Sequence, residues 1–262
     1  MELAGTSAIV TGGASGIGAA SARALTKRGA RCVLIDLNDE LGEAMASELG
    51  GLYVKADVAN PEQVQVAVDA AAEMAPLRTL VNAAGIGTPG RTVDREGNPL
   101  PLEYFEKIIR VNLIGTFNCL RLAAAAMSRT EPVDADGTRG AVVNIASVAA
   151  FDGQIGQAAY SASKGGIIGM TLTTARDLSA QGVRGQHDRP RAHRHPDLRD
   201  GREGRRLQGQ AGGERAVPAP ARHGRRVGLD GRRVHHQRLH ERRDHPGRRR
   251  HPDAPEVGAT GG

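Results

Sequence analysis

Gly5-Thr6-Ser7-Ala8-Ile9-Val10-Thr11-Gly12-Gly13-Ala14-Ser15-Gly16-Ile17-Gly18 decides how the chain is read. Ser7 to Thr11 is a short apolar run, suited to a strand buried on both faces. A helical pattern follows the glycines and runs to about Arg28, with Gly29 placed to cap it. Where a strand feeds a helix through a glycine-rich turn, a doubly wound sheet offers backbone N–H groups and a helix N-terminus to a pyrophosphate. The spacing Gly12-x3-Gly16-x-Gly18 differs from the commoner G-x-G-x-x-G. The strand and helix on either side nevertheless make Gly12, Ser15, Gly16, Ile17 and Gly18 candidate dinucleotide contacts.

The same alternation continues outward. Strands are predicted over Arg31 to Asp36, Leu52 to Asp57, Thr79 to Asn82 and Ala141 to Ser147. Helices are predicted from about Asp39 to Leu49, from Pro61 with Asn60 as its N-cap, over Leu102 to Met127 with a break before Val111, and over Ala158 to Leu178. Continuously apolar strands between helices imply an α/β fold with a parallel sheet covered on both faces.

Asp36 ends the second predicted strand, 18 residues after Gly18. A carboxylate there can accept from both hydroxyls of the adenosine ribose and repels a 2′-phosphate, which favours NAD over NADP. Asp57, followed by Val58, ends the third and can accept from the adenine amine. Tyr160-Ser161-Ala162-Ser163-Lys164 puts a phenol and an ammonium at i and i+4 on one helix face. An ammonium beside a phenol favours the phenolate and suits it to exchange a proton with an alcohol or ketone. Ser147, 13 residues before Tyr160, can hydrogen-bond a substrate oxygen as charge develops on it.

Over residues 5–184 these features resemble the short-chain dehydrogenases/reductases. Thr11 to Gly18 is similar to the family's cofactor turn, and Asn82-Ala83-Ala84-Gly85 to its fourth-strand motif. The resemblance implies a Rossmann-type sheet and adds Asn82, Ala83 and Gly85 to the cofactor contacts. It implies that Asn112 holds a water in a proton relay beside Ser147, Tyr160 and Lys164, and that Lys164 also binds the nicotinamide ribose. Val148 to Tyr160, Gly165 to Leu172 and Ala175 to Leu178 resemble the type II 3-hydroxyacyl-CoA dehydrogenases, as do insertions at about 88–101 and 129–139. That likeness implies NAD-linked oxidation of a 3-hydroxyacyl-CoA or a steroid-like alcohol, with Gln154 touching substrate, and a homotetramer. Its rivals are a 3-oxoacyl-carrier-protein reductase, a hydroxysteroid dehydrogenase, and an inactive or purely dinucleotide-binding protein.

Composition divides the 262 residues at Arg184. Residues 1–184 hold 16 Lys+Arg and 19 Asp+Glu, a net of −3; residues 185–262 hold 19 Arg, no Lys and 10 Asp+Glu, a net of +9, and together these make the chain's +6. All nine His lie after the division, where no Ile, Phe, Tyr, Asn, Ser, Cys or Met occurs. Such a segment cannot bury a core and is expected to be disordered. The domains expected are therefore 1–184, a dinucleotide-binding unit, and 185–262, a tail.

The tail is readable as an out-of-frame translation. With one nucleotide gained near codon 184 and synonymous codons chosen to fit, Gly185 to Arg199 re-reads as Val-Asn-Thr-Ile-Ala-Pro-Gly-Leu-Ile-Asp-Thr-Pro-Ile-Tyr-Gly, similar to the family's sixth strand and Pro-Gly turn. Glu241 to Pro255 re-reads in the same frame as the family's seventh strand, with a stop codon permitted at its usual end. On this reading the chain as written lacks two strands and a substrate lid and has little or no activity. The histidine spacing at 187, 193 and 195 then marks no metal site, and the arginines no specific nucleic-acid site.

Cys32 and Cys119 are too few for a disulfide scaffold and fit a reducing, cytoplasmic setting. No run approaches the roughly 18 apolar residues of a membrane span. Met1 to Gly5 has no basic n-region, so neither signal nor transit peptide is expected.

Overall fold

The computed structural model describes residues 1–188. Six strands form one parallel sheet in the order β3-β2-β1-β4-β5-β6. They are β1 (Ser7–Thr11), β2 (Arg31–Asp36), β3 (Leu52–Lys55), β4 (Leu77–Asn82), β5 (Gly140–Ile145) and β6 (Val183–Asp188). Between them run α1 (Gly16–Lys27), α2 (Asp39–Leu49), α3 (Pro61–Met74), α4 (Leu102–Ile109), α5 (Gly115–Ser128) and α6 (Ala158–Asp177). The strand order reverses between β1 and β4, the place where open α/β sheets bind ligands at their carboxyl ends.

Every residue of β1 is buried, because helices cover both faces of the sheet. Side chains alternate between two cores. Ile9, Val33 and Leu80 meet Val64, Leu120 and Met127 from α3 and α5 on one face. Ala8, Val10 and Leu34 meet Ala19, Ala22 and Met45 from α1 and α2 on the other. Each large aliphatic so buried contributes roughly 1.5–3 kcal/mol.

Caps set the helix starts. Asn38 accepts from Leu41 N at 3.0 Å and Asn60 from Gln63 N at 3.0 Å, while Gly50, at φ +59°, closes α2.

The break expected before Val111 is instead a change of helix type. The chain stays helical from Leu102 to Ser128, but Arg110–Ile114 widens into a π-helical turn between α4 and α5. This 27-residue run is long and apolar enough to cross a membrane by length and composition, contrary to expectation, yet half of its most apolar stretch is buried. Its face bearing Cys119, Leu120, Ala123 and Met127 packs in the core, which accounts for the apolar composition.

The expected loss of the sixth strand is corrected. Residues 183–188 pair with β5 in parallel, from Gly140↔Val183 to Ile145↔Asp188, so the sheet continues past the division at 184. Strand pairing uses peptide groups, which every residue but proline supplies. Val183 fills the core, and a Cβ built on Gly185 would come 3.2 Å from Ala175 of α6, so a small residue suits that close approach. The re-read segments beyond 188, the seventh strand, the lid, His193, His195 and the rest of the arginine-rich tail lie outside the described residues.

Candidate functional site

The carboxyl ends of β1, β4 and β5 border a cleft of about 520 Å³ lined by Ile17, Gly85, Ser147, Gln154, Tyr160 and Lys164, among others. Gly12 leaves β1 at φ +64°, and a Cβ there would lie 2.9 Å from the Ala84 backbone. A Cβ on Gly18 would lie 2.0 Å from the Gly12 carbonyl oxygen, so the first turn of α1 can close against β1 only with glycine at this position. Ser15, Gly16 and Ile17 are exposed at the mouth of that turn.

Asp36 ends β2 beside it. Its Oδ2 accepts from Ala14 N at 3.1 Å and its Oδ1 from Leu37 N at 2.8 Å, which fixes the carboxylate at the rim of the turn. Asp57 lies two residues beyond β3, which ends earlier than expected, at Lys55. Burial pushes the Asp57 carboxyl up, but the Ala59 N–H and the Arg110 guanidinium outweigh it and leave the group below the ordinary carboxylate range. Val58 packs against Gly115 at the start of α5, where a Cβ would come 2.5 Å from it.

Around β4 the expected contacts divide. Ala83 and Gly85 reach the cleft. Asn82 is buried and turns into the sheet, donating to Asn144 Oδ1 at 2.9 Å and Thr116 O at 3.3 Å. Asn144 in turn donates to Thr171 Oγ1 at 3.0 Å, which ties β4 through β5 to α6. Thr11 Oγ1 accepts from Ala83 N and Ala84 N and joins β1 to the same loop.

Tyr160 and Lys164 lie one turn apart on α6, with the Lys164 ammonium 5.7 Å from the Tyr160 ring centre. Lys164 is buried and donates to Ile145 O at 2.7 Å. Burial pushes its pKa down to about 8. The Tyr160 ring lies over Gly87, where a Cβ would come within 2.9 Å of it. Ser147 lies two residues past β5 rather than at its end; its hydroxyl accepts from Ala149 N at 3.2 Å and caps a short 3₁₀ turn, Val148–Ala150. Gln154 is exposed on the loop before α6, at the edge of the cleft.

Asn112, at the centre of the π-helical turn, is fully buried. It accepts from Ile86 N at 2.8 Å and donates to Ile86 O at 2.9 Å and Ser163 Oγ at 3.0 Å. Ser163 donates on to Tyr160 O at 2.7 Å, so Asn112 braces both the loop after β4 and the turn carrying Tyr160.

A profile of the short chain dehydrogenases matches residues 6–190. The chain belongs to that family. Relatives include 3-hydroxyacyl-CoA dehydrogenase type-2 of Homo sapiens, 48% identical over 184 residues that span 69% of this chain and 70% of that protein. The protein of the same name from Drosophila melanogaster is 49% identical over 180 residues, 67% of this chain and 70% of its own. The crystal structure of 3-hydroxyacyl-CoA dehydrogenase type-2 from Mycobacterium avium superposes with a TM-score of 0.67 at 44% identity, covering 71% of this chain and 73% of that one. As a short chain dehydrogenase, the protein is an oxidoreductase.

Two residues that hold expected site residues in this short chain dehydrogenase, Ser163 on Asn112 and Arg110 on Asp57, were not among the expected ones. Ser163 was within reach, since it lies inside the quoted Tyr160–Lys164 segment and at i+3 from Tyr160. Arg110 had no local signal, because its partner Asp57 is 53 residues away in sequence.

Proposed function

We propose that the site oxidises the 3-hydroxyl of an acyl-CoA with NAD. The observation that carries this is the Tyr160–Lys164 pair, held on α6 beside Ser147 in a cleft that opens next to the glycine turn. The residues present fit a dinucleotide: Gly12 and Gly18 leave room where a Cβ would collide with backbone, and Asp36 stands fixed at the turn's rim. Asp36 disfavours a 2′-phosphate, which supports NAD over NADP. NAD, when bound, supplies the hydride acceptor. Gly12, Ser15, Gly16, Ile17, Gly18, Asp36, Asp57, Val58, Asn82, Ala83 and Gly85 form the cofactor side of the proposal.

Ser147 donates to the substrate oxygen and orients it. Tyr160 takes the hydroxyl proton, and the Lys164 ammonium stabilises the charge that passes through the phenol oxygen. Asn112 supports the proton's exit by bracing this face, and Gln154 contacts the substrate from the rim. The acyl-CoA assignment rests on the names of the relatives. Free Cys32 and Cys119, both buried, support a reducing and cytoplasmic setting.

Comparing kcat/KM for acetoacetyl-CoA with NADH and with NADPH tests the reading. A preference for NADH of tenfold or more is expected, and a preference for NADPH would favour a carrier-protein reductase instead. Tyr160→Phe is expected to bind NADH normally while losing at least a thousandfold in kcat, the upper range of proton-transfer catalysis.

A further inference from the structure

Both oxygens of the Asp57 carboxylate are already held by the protein. Oδ1 accepts from Ala59 N at 2.9 Å and Oδ2 from Arg110 Nη2 at 3.0 Å, while the Asp57 N–H donates to Gln63 Oε1 at 2.7 Å. A carboxylate has about four lone-pair positions, so two remain. The side chain is one-third exposed and Arg110 is more than half exposed, so the pair lies at the rim rather than in the core. The terminal torsion of an aspartate is broad and two-fold, and a single backbone contact does not fix it. Arg110 supplies the second anchor. It opens the π-helical turn whose third residue is the buried Asn112, so one five-residue turn reaches Asp57 with one side chain and the Tyr160 helix with another. Turns of this kind are rare and concentrate at functional sites.

We propose that Arg110 is a positioning residue for base recognition: it clamps the Asp57 carboxylate so that its two remaining lone pairs face the 6-amino group of adenine. The inference rests on reading Asp57 as the adenine contact. Reduced nicotinamide hypoxanthine dinucleotide is the discriminating probe, because a carbonyl oxygen replaces that amino group and meets the carboxylate acceptor to acceptor.

The test titrates the full 262-residue protein, by the fluorescence of the reduced nicotinamide, with NADH and with the hypoxanthine analogue. The unsubstituted protein is expected to prefer NADH by about tenfold, the scale of one hydrogen bond to a charged group. Arg110→Gln is expected to cut that preference to about twofold, almost wholly by weakening NADH. Arg110→Met, which keeps the apolar stem and drops the fork, gives the same comparison if the first variant fails to fold. A preference that survives the substitution, or an equal weakening of both dinucleotides, overturns the role of Arg110. A missing preference in the unsubstituted protein instead overturns the reading of Asp57, and the inference with it; Asp57→Asn would then behave like the parent.

Discussion

Lys164 joins a charge to a buried position, and its protonation should therefore be coupled to folding. Its pKa falls from 10.5 to about 8 in the folded chain because burial disfavours the ammonium. Below pH 8 both folded and unfolded chains hold the proton, and the cost of the buried charge is present in full. Between pH 8 and 10.5 the unfolded chain binds the proton and the folded chain does not, so stability rises with pH across that window. The parent should gain roughly 3 kcal/mol relative to Lys164→Met between pH 7.5 and 10.5, read from denaturant midpoints. Parallel pH curves for the two proteins would sink this account. Asp36 has a double task in the proposed site, since the carboxylate that would repel a 2′-phosphate also holds Ala14 N in the glycine turn. Asp36→Ser should move the NADPH-to-NADH affinity ratio toward NADPH by about tenfold, a change of 1.4 kcal/mol. It should also weaken NADH, because the turn loses an acceptor. Fluorescence titration with each dinucleotide checks both parts.

Helix starts were readable because their signals are local. Asn60 precedes Pro61, and in the structure the Asn60 side chain accepts from Gln63 N at the head of α3. Asn60→Ala should cost about 1 kcal/mol, measured as a shift in urea midpoint. An unchanged midpoint would mean that water satisfies the freed amide equally well. The glycine turn and the Tyr160–Lys164 turn were readable for the same reason: each lies within one strand–helix junction or one helical turn. Strand ends were less so. β3 and β5 stop two residues before the expected Asp57 and Ser147, because the last residues leave the ladder to make side-chain contacts of their own. The spacing of apolar residues marks where a helix changes phase but not whether its hydrogen bonds persist, so the π-helical turn registers in the sequence only as a break. The contacts Arg110–Asp57 and Asn82–Asn144 join residues more than 50 apart, which no local pattern encodes.

At the scale of the whole molecule, the described residues carry a six-stranded sheet that ends in β6 and a cleft bordered by Ile17, Ser147, Tyr160 and Lys164. We propose that the residues after 184 are an out-of-frame translation, on the compositional change and the two re-read segments. A chain with the frame restored should oxidise 3-hydroxybutyryl-CoA with NAD at least about a hundredfold faster than the chain as written, about 2.7 kcal/mol in barrier. Equal rates for the two mass-verified proteins would remove the proposal, and resequencing the gene around codon 184 tests its origin.

The widened turn at Arg110–Ile114 also sets the azimuth of everything that follows it. Successive residues of an α-helix are rotated by about 100° around its axis. A π turn takes one residue more than an α turn to complete its circuit, so the widened turn absorbs an extra residue that would otherwise rotate α5 by that angle. Excising one of the five would let an ordinary winding run through, with Ala123 and Met127 still against the core. It would erase the widening that carries Arg110 to Asp57 and Asn112 to Ser163. The same five residues thus keep two arcs of one long rod in step, and a deletion there costs the first arc its contacts while leaving the second in place.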